Sequence, residues 1–207
     1  MQSPAGSLEA EADAVRKKFV VSLGELRVTV FQASSEAETA EALRKILLSK
    51  EAKSVVAAGV PSRYRDAVGA GLGANAVFLE DLHRKNASEV VEVIARADVG
   101  VTWATLGVAN EGALMEVVYD DSVKLASSLP LVSIVLVESS SVVPTLADAM
   151  LEVGRLIRES PKDRKPVISF ISGPSKTGDI EMRVLYGVHG PHSVYAVVLD
   201  WPGKRSR

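Results

Sequence analysis

Apolar and polar positions along this chain recur with two periods, and the switching between them orders the elements. Leu8, Ala12, Val15 and Phe19 fall at helical spacing and predict an amphipathic helix over residues 8 to 21. "RVTVFQ" (27–32) predicts a strand. Ser35 and Glu38 then have capping-box spacing, and Ala37, Ala40, Leu43 and Leu47 line one helix face. "SVVAA" (54–58) is a short apolar run suited to a buried parallel strand, followed by a short helix over 62–69 and a strand at Ala76 to Leu79. Asn86 and Glu89 repeat the capping spacing before Val90, Val93, Ile94 and Ala97, and "DVGVTW" (98–103) predicts the next strand.

Beyond residue 103 the alternation changes. "GALMEVVY" (112–119) predicts a strand whose glycine and alternating pattern suggest an exposed face and antiparallel pairing. Leu131 to Val137 predicts a buried strand, and Pro144 and Thr145 open a helix through Leu146, Met150, Val153 and Ile157. Strands at Pro166 to Ile171 and Val194 to Leu199 close the pattern. Strand and helix in turn predict an α/β fold with a mostly parallel sheet flanked by helices. No repeat or composition shift marks a boundary, so residues 1–207 read as one domain with solvated ends near 1–7 and 203–207.

Composition narrows the function classes. A net charge of −2 supplies no basic field for nucleic acid. The longest apolar run, residues 129–137, is under half of the roughly 20 residues a membrane span needs. The amino-terminal segment has no apolar core of a secretory leader, so a cytoplasmic protein is expected. Cysteine is absent, which removes disulfides, zinc–thiolate sites and iron–sulfur clusters held by these residues alone. Three scattered histidines without cysteine predict no metal site. Three asparagines and two glutamines beside abundant Glu, Arg and Lys lean toward a thermophilic source.

Two segments concentrate chemistry. In "ISGPSKTGDIEMRVLYGVHGP" (171–191), an apolar strand ends at the turn Ser172-Gly173-Pro174. Ile180 and Val184, with the Asp179–Arg183 pair, predict a short helix over 178–186, capped by Ser175 or Thr177 and closed by Gly187. Strand, glycine turn and helix start form an anion-binding arrangement at the carboxyl edge of the sheet, with Lys176 adding a cation. A well-capped turn with nothing bound fits the same residues, because every helix start needs its first N–H groups satisfied. His189, between Val188 and Gly190 in a tight loop, reads as a loop residue fixed by a hydrogen bond or, in the sharper reading, as a group for acid–base work or ligand contact. In "TWATLGVANEGAL" (102–114), Thr102 lies near a strand end, and Asn110, Glu111 and Gly112 join an amide and a carboxylate at a flexible backbone position. Glu111 has the chemistry of a nucleophile or base if buried, and of a solvated loop carboxylate if not. "GAGLGAN" (69–75) follows a helix and precedes a strand, the reverse of a dinucleotide fingerprint, and reads as a loop.

The segment 171–191 resembles the carboxyl-terminal signature of the LUD-domain, or lactate-utilization, proteins, in particular their LutC-like branch. Those proteins carry Ser-Gly-Pro-Ser-x-Thr-x-Asp-Ile-Glu, then Gly-Val-His-Gly-Pro, then a strand. Ser172, Gly173, Pro174, Ser175, Thr177, Asp179, Ile180, Glu181, Gly187, Val188, His189, Gly190 and Pro191 match. "ADVGVTWATLGVANEGAL" (97–114) is similar to the family's central segment, although Asn110-Glu111-Gly112 stands where the family often has Glu-Thr-Gly. That shift of one residue moves the carboxylate to the opposite face of a strand.

The resemblance implies a fold like that of ribose-5-phosphate isomerase, glucosamine-6-phosphate deaminase and the CoA transferases. It also implies a part in oxidising L-lactate to pyruvate, within a cytoplasmic system whose partner proteins carry iron–sulfur clusters. The expected role is an accessory or substrate-binding subunit that holds a small anionic metabolite, a carboxylate or phosphate ester, and binds no cofactor itself. A free-standing isomerase or acyl/CoA transferase, or a metabolite sensor, is the alternative. The candidate catalytic residues are Glu111 and His189. The candidate ligand contacts are Thr102, Asn110 and Gly112, with Ser172, Gly173, Ser175, Lys176, Thr177, Asp179, Glu181 and Gly190 from the signature.

Overall fold

The computed structural model describes residues 4–82, 86–174, 176–178, 184–186 and 190–203. Its frame is a six-stranded sheet in which every pairing is parallel. From one edge to the other run β1 (Thr29–Ala33), β12 (Ser193–Leu199), β7 (Val132–Glu138), β4 (Val99–Trp103), β2 (Val55–Ala57) and β3 (Ala76–Phe78). The central strands are apolar on both faces because both faces are covered. Along β7, Ile134 and Leu136 pack on one side, while Val135 and Val137 pack on the other.

Helices α2 (Glu36–Ser49) and α3 (Ser62–Leu72) cover the first face through Leu43, Ile46, Tyr64 and Val68. Helix α1 (Pro4–Glu25) covers the second through Phe19 and Leu23; beside it α4 (Ala87–Ala95) and α5 (Asp121–Ser128) pack through Ile94 and Ala126. Several helix starts form as the spacing predicts. Asn86 and Glu89 form a reciprocal capping box, and so do Thr145 and Asp148 at the start of α6 (Leu146–Glu159). Ser35 accepts from the Glu38 N–H at 3.2 Å, but the Glu38 carboxylate closes on Ser34 N at 2.7 Å.

The alternation that breaks after residue 103 makes a second sheet, of order β8 (Val142–Val143), β5 (Leu106–Val108), β6 (Ala113–Val118), β9 (Val167–Ile171). β6 runs antiparallel to both β5 and β9, as expected of the "GALMEVVY" segment. Its expected exposed face is not there: β6 is buried almost throughout, because α6 covers one side with Ala149 and Val153 while α1 and the large sheet take Leu114 on the other. The pattern did not predict α5, β5 or β8, which are short and carry few residues per period.

The signature segment departs further. The expected helix over 178–186 is contradicted, because β10 (Lys176–Gly178) and β11 (Val184–Tyr186) pair as antiparallel strands. The i,i+4 pairs that suggested a helix carry too few apolar residues to outweigh a β-rich "VLY". β9 also belongs to the second sheet, so the turn after it does not lie at the carboxyl edge of the parallel strands.

Among the described glycines the tightest approach is at Gly100, where α5 meets β4. A Cβ on Gly100 would lie 1.8 Å from the Ala126 carbonyl oxygen, so only glycine lets the helix settle there. Gly100→Ala is expected to cost at least about 3 kcal/mol in a denaturant melt. Gly24→Ala, in α1 with no atom within 4 Å of the new methyl, should be neutral or stabilising by roughly 0.5–1 kcal/mol.

Candidate functional site

Parallel strands bring their carboxyl ends to one edge, where ligands of open α/β sheets bind. Here that edge holds a cavity of about 440 Å³ lined by Arg63, Glu138, Ser139, Ser140, Asp200 and Trp201. Each lining residue comes from a strand end or the helix that follows one. Glu138 ends β7, Ser139 and Ser140 open the tight turn after it, Asp200 and Trp201 follow β12, and Arg63 lies in the first turn of α3.

The polar groups are held by one another. Arg63 Nε donates to Glu138 Oε1 at 3.0 Å and its Nη2 pairs with the same oxygen. The Tyr64 hydroxyl lies 2.7 Å from Glu138 Oε1 and 2.8 Å from the Trp201 carbonyl. Burial, reinforced by the hydrogen bond with Glu138, pushes the Tyr64 hydroxyl up to about 12, so it stays protonated. The hydrogen bond to Glu138 raises Arg63 further above its ordinary value. Beneath them Tyr64 stacks on Trp103 at 5.1 Å and meets Trp201 edge-on at 4.9 Å, while Trp201 Nε1 donates to Thr39 Oγ1 at 2.9 Å. An aromatic cluster therefore backs the cavity through Trp201, and the described lining carries one cation and two carboxylates.

The serine turn supplies hydroxyls. Ser139 Oγ donates to Asp200 Oδ1 at 2.6 Å, and Ser141 Oγ to the Glu138 carbonyl at 2.8 Å. Ser140 is exposed and lines this cavity and two adjoining ones, of about 510 and 260 Å³. A guanidinium beside a free hydroxyl suits the carboxylate and hydroxyl of a small hydroxy acid. Among the described residues no cluster of three or more His, Cys, Asp or Glu side chains could hold a metal ion.

The residues singled out in the sequence lie elsewhere. Thr102 is fully buried, and its hydroxyl donates to Glu116 Oε1 at 2.5 Å. Asn110 and Glu111 are exposed at the turn of the β5–β6 hairpin, so Glu111 lacks the burial that a nucleophile or base role was conditional on. Gly112, at φ +58°, packs its backbone against Ser22 of α1. Ser172, Gly173 and Pro174 follow β9, and Pro174 lines a different cavity, at the amino edge of the parallel sheet, together with His192 and Ser193. Gly190 is half-buried just before that edge. Lys176 and Thr177 lie in β10, and Ser175, Asp179, Glu181 and His189 lie outside the described residues.

Sequence reasoning passed over Arg63, Tyr64, Glu138, Asp200 and Trp201, and with them the buried Glu116. One signal was present: three consecutive serines directly after the buried strand β7. Arg63 and Tyr64 carry no comparable local mark, because only the sheet order brings α3 beside β7 and β12.

Glu116 lies between the two sheets with no exposure, and among the described residues its partners are the hydroxyls of Thr102 and Ser127 and no cation. Desolvation holds its carboxyl above the ordinary 4.5, against the opposing hydrogen bonds of Thr102 and Ser127. Ser127 Oγ is 2.9 Å from Glu116 Oε2 and 3.0 Å from the Lys124 carbonyl, yet a hydroxyl has one proton. A neutral Glu116 that donates to Ser127, which in turn donates to Lys124, places every proton.

The family model of the LUD domain matches residues 16–199, and the chain belongs to that family. It is 29% identical to lactate utilization protein C of Anoxybacillus flavithermus over 173 residues, 83% of this chain and 75% of that protein. The protein of the same name in Macrococcus caseolyticus is 31% identical over 74% of this chain and 65% of its own length; that of Shouchella clausii is 29% identical over 93% and 83%. The crystal structure of a DUF162 family protein from Deinococcus radiodurans superposes with a TM-score of 0.60 and 20% identity, covering 92% of this chain and 97% of that one, which establishes the fold.

The Glu116 arrangement has a measurable consequence. A raised folded-state value means that its stability contribution is fully present below pH 4.5 and is lost as pH rises through the folded value. Glu116→Gln keeps the neutral hydrogen-bond pattern, so its stability relative to the parent should climb as pH is raised above 4.5. Glu116→Ala should cost about 2–4 kcal/mol below pH 4.5, by leaving two hydroxyls and a void, and less as pH rises. Parallel parent and Gln curves would mean that the carboxyl is ionised in the fold.

Proposed function

We propose that this LUD-domain chain takes part in lactate utilization as a substrate-binding or accessory component, holding a small carboxylate such as L-lactate or pyruvate at the carboxyl edge of the parallel sheet. One observation carries the reading: a relative named lactate utilization protein C aligns over 93% of this chain, and the family match runs through residue 199, the end of β12, which closes the cleft. The cleft supports it chemically. Arg63 can turn one face of its guanidinium to a carboxylate while Glu138 keeps the other, and Ser140 is free to meet a substrate hydroxyl.

The electron-transfer step falls to other proteins in this reading. Moving two electrons from lactate to an acceptor needs a redox carrier, and these 207 residues contain no cysteine to hold an iron–sulfur cluster. Partners that carry such clusters, in the cytoplasm, complete the system. The alternatives of the same fold, an isomerase, an acyl transferase or a sensor, would use the same edge, but no second described residue pairs with Glu111 to begin such chemistry.

Isothermal titration separates these outcomes. L-Lactate or pyruvate should bind the purified chain, and Arg63→Gln should weaken binding on the order of tenfold, the loss of one charge-assisted contact. The protein alone should not reduce a dye with lactate, and adding cysteine-rich partner proteins should restore turnover. Dye reduction by the isolated chain would refute the accessory role. Equal binding by parent and Arg63→Gln would remove the cleft assignment.

A further inference from the structure

We propose that the outward face of α6 docks against the same helix of a second copy of this chain, antiparallel, about a twofold axis beside Gly154. The proposal uses neither the carboxyl-edge cleft nor its ligand, and every residue of α6 is described.

One face of the helix already has its partner within the chain, because Ala149 and Val153 are buried against the second sheet. The other side of a surface helix is expected to be polar. In α6 that side keeps three large apolar side chains, Met150, Leu151 and Ile157, which are 50, 74 and 53% exposed. Between them lies Gly154, roughly 100–140° around the helix from Val153 and Ala149. Glycine weakens a helix interior relative to alanine. A Cβ on Gly154 would meet only the Arg158 guanidinium, 3.4 Å away, at the far end of a flexible side chain. No packing among the described residues therefore calls for glycine here, whereas close approach by an outside backbone does.

Symmetry and charge identify the occupant. Leu151 and Ile157 lie three residues before and after Gly154, on its own face of the helix. An antiparallel copy crossing at Gly154 sets Leu151 against the partner's Ile157, and the reverse. Arg155 is held by Glu152 and Glu159, whereas among the described residues no ion pair forms at Arg158. Asp148, near the amino end of α6, and Arg158, near its carboxyl end, line the same flank. An antiparallel copy brings Arg158 beside Asp148 at both ends, while a parallel one would set arginine against arginine. The match repeats at both ends only if the occupant is the same helix.

Sedimentation equilibrium over a dilution series, with the melting temperature read at each concentration, tests this. The parent should dimerise reversibly and melt higher as its concentration rises. Leu151→Glu should weaken the dimer at least about tenfold. Gly154→Ala should melt higher than the parent when both are dilute, yet dimerise on the order of tenfold more weakly, a combination that a purely structural glycine would not give. The chain has no cysteine of its own, so disulfide trapping reads the geometry directly. Under mild oxidation, Leu151→Cys mixed with Ile157→Cys should give the crossed dimer in preference to either self-linked one. A parent that stays monomeric at every concentration, a dimer that Leu151→Glu and Gly154→Ala both leave intact, or self-linked dimers outnumbering the crossed one would overturn the proposal.

Discussion

The strictly parallel register of the large sheet is the constraint on which the remaining features depend. Parallel pairing sends every strand the same way, so the residues after β1, β2, β4, β7 and β12 gather at one edge and those before them at the other. Glu138, Asp200 and Trp201 meet for that reason alone, although more than 60 residues separate the first from the others. The opposite edge collects Arg27, Lys50 and His192 by the same rule. Two separate surfaces follow from one topology: a mixed-charge cleft backed by an aromatic cluster, and a second basin at the far ends of the strands.

A second sheet laid against the first adds a cost that the chain meets locally. β6 brings Glu116 into the space between the sheets, where an ionised carboxylate without a cation would be strongly disfavoured. Two hydroxyls and a proton resolve it. Gly100 and Gly107 make the neighbouring approaches possible, the one under the α5 backbone and the other under the ring of Phe19. These contacts fix how the second sheet sits, and so where the serine turn between β7 and β8 opens.

The fold was largely legible in the sequence because its long elements obey simple periods. The strand at 132–138, the capped helices and the closing strand all lie where apolar spacing placed them. The resemblance carried by 171–191 led to the right family, and its fold agrees with the mixed α/β architecture. The site was much less legible. Arg63 and Tyr64 sit in a helix with nothing local to mark them, and Glu116 reads as one polar position in an alternating strand until a second sheet is known to cover it. The signature misled in one respect: charge spacing over 179–183 suggested a helix, whereas the flanking segments pair as strands. Gly173 was read as part of a turn, and the described geometry packs that turn against Leu26.

The central claim is that a small carboxylate occupies the carboxyl-edge cleft between Arg63 and the serine turn. Hydrogen–deuterium exchange with and without saturating L-lactate tests it most directly, because it reports position without any substitution. The account predicts slower exchange at residues 138–141 and 199–203, with no change in β5, β6 and their hairpin turn. Protection confined to the hairpin around Asn110 and Glu111, or none anywhere, would contradict it.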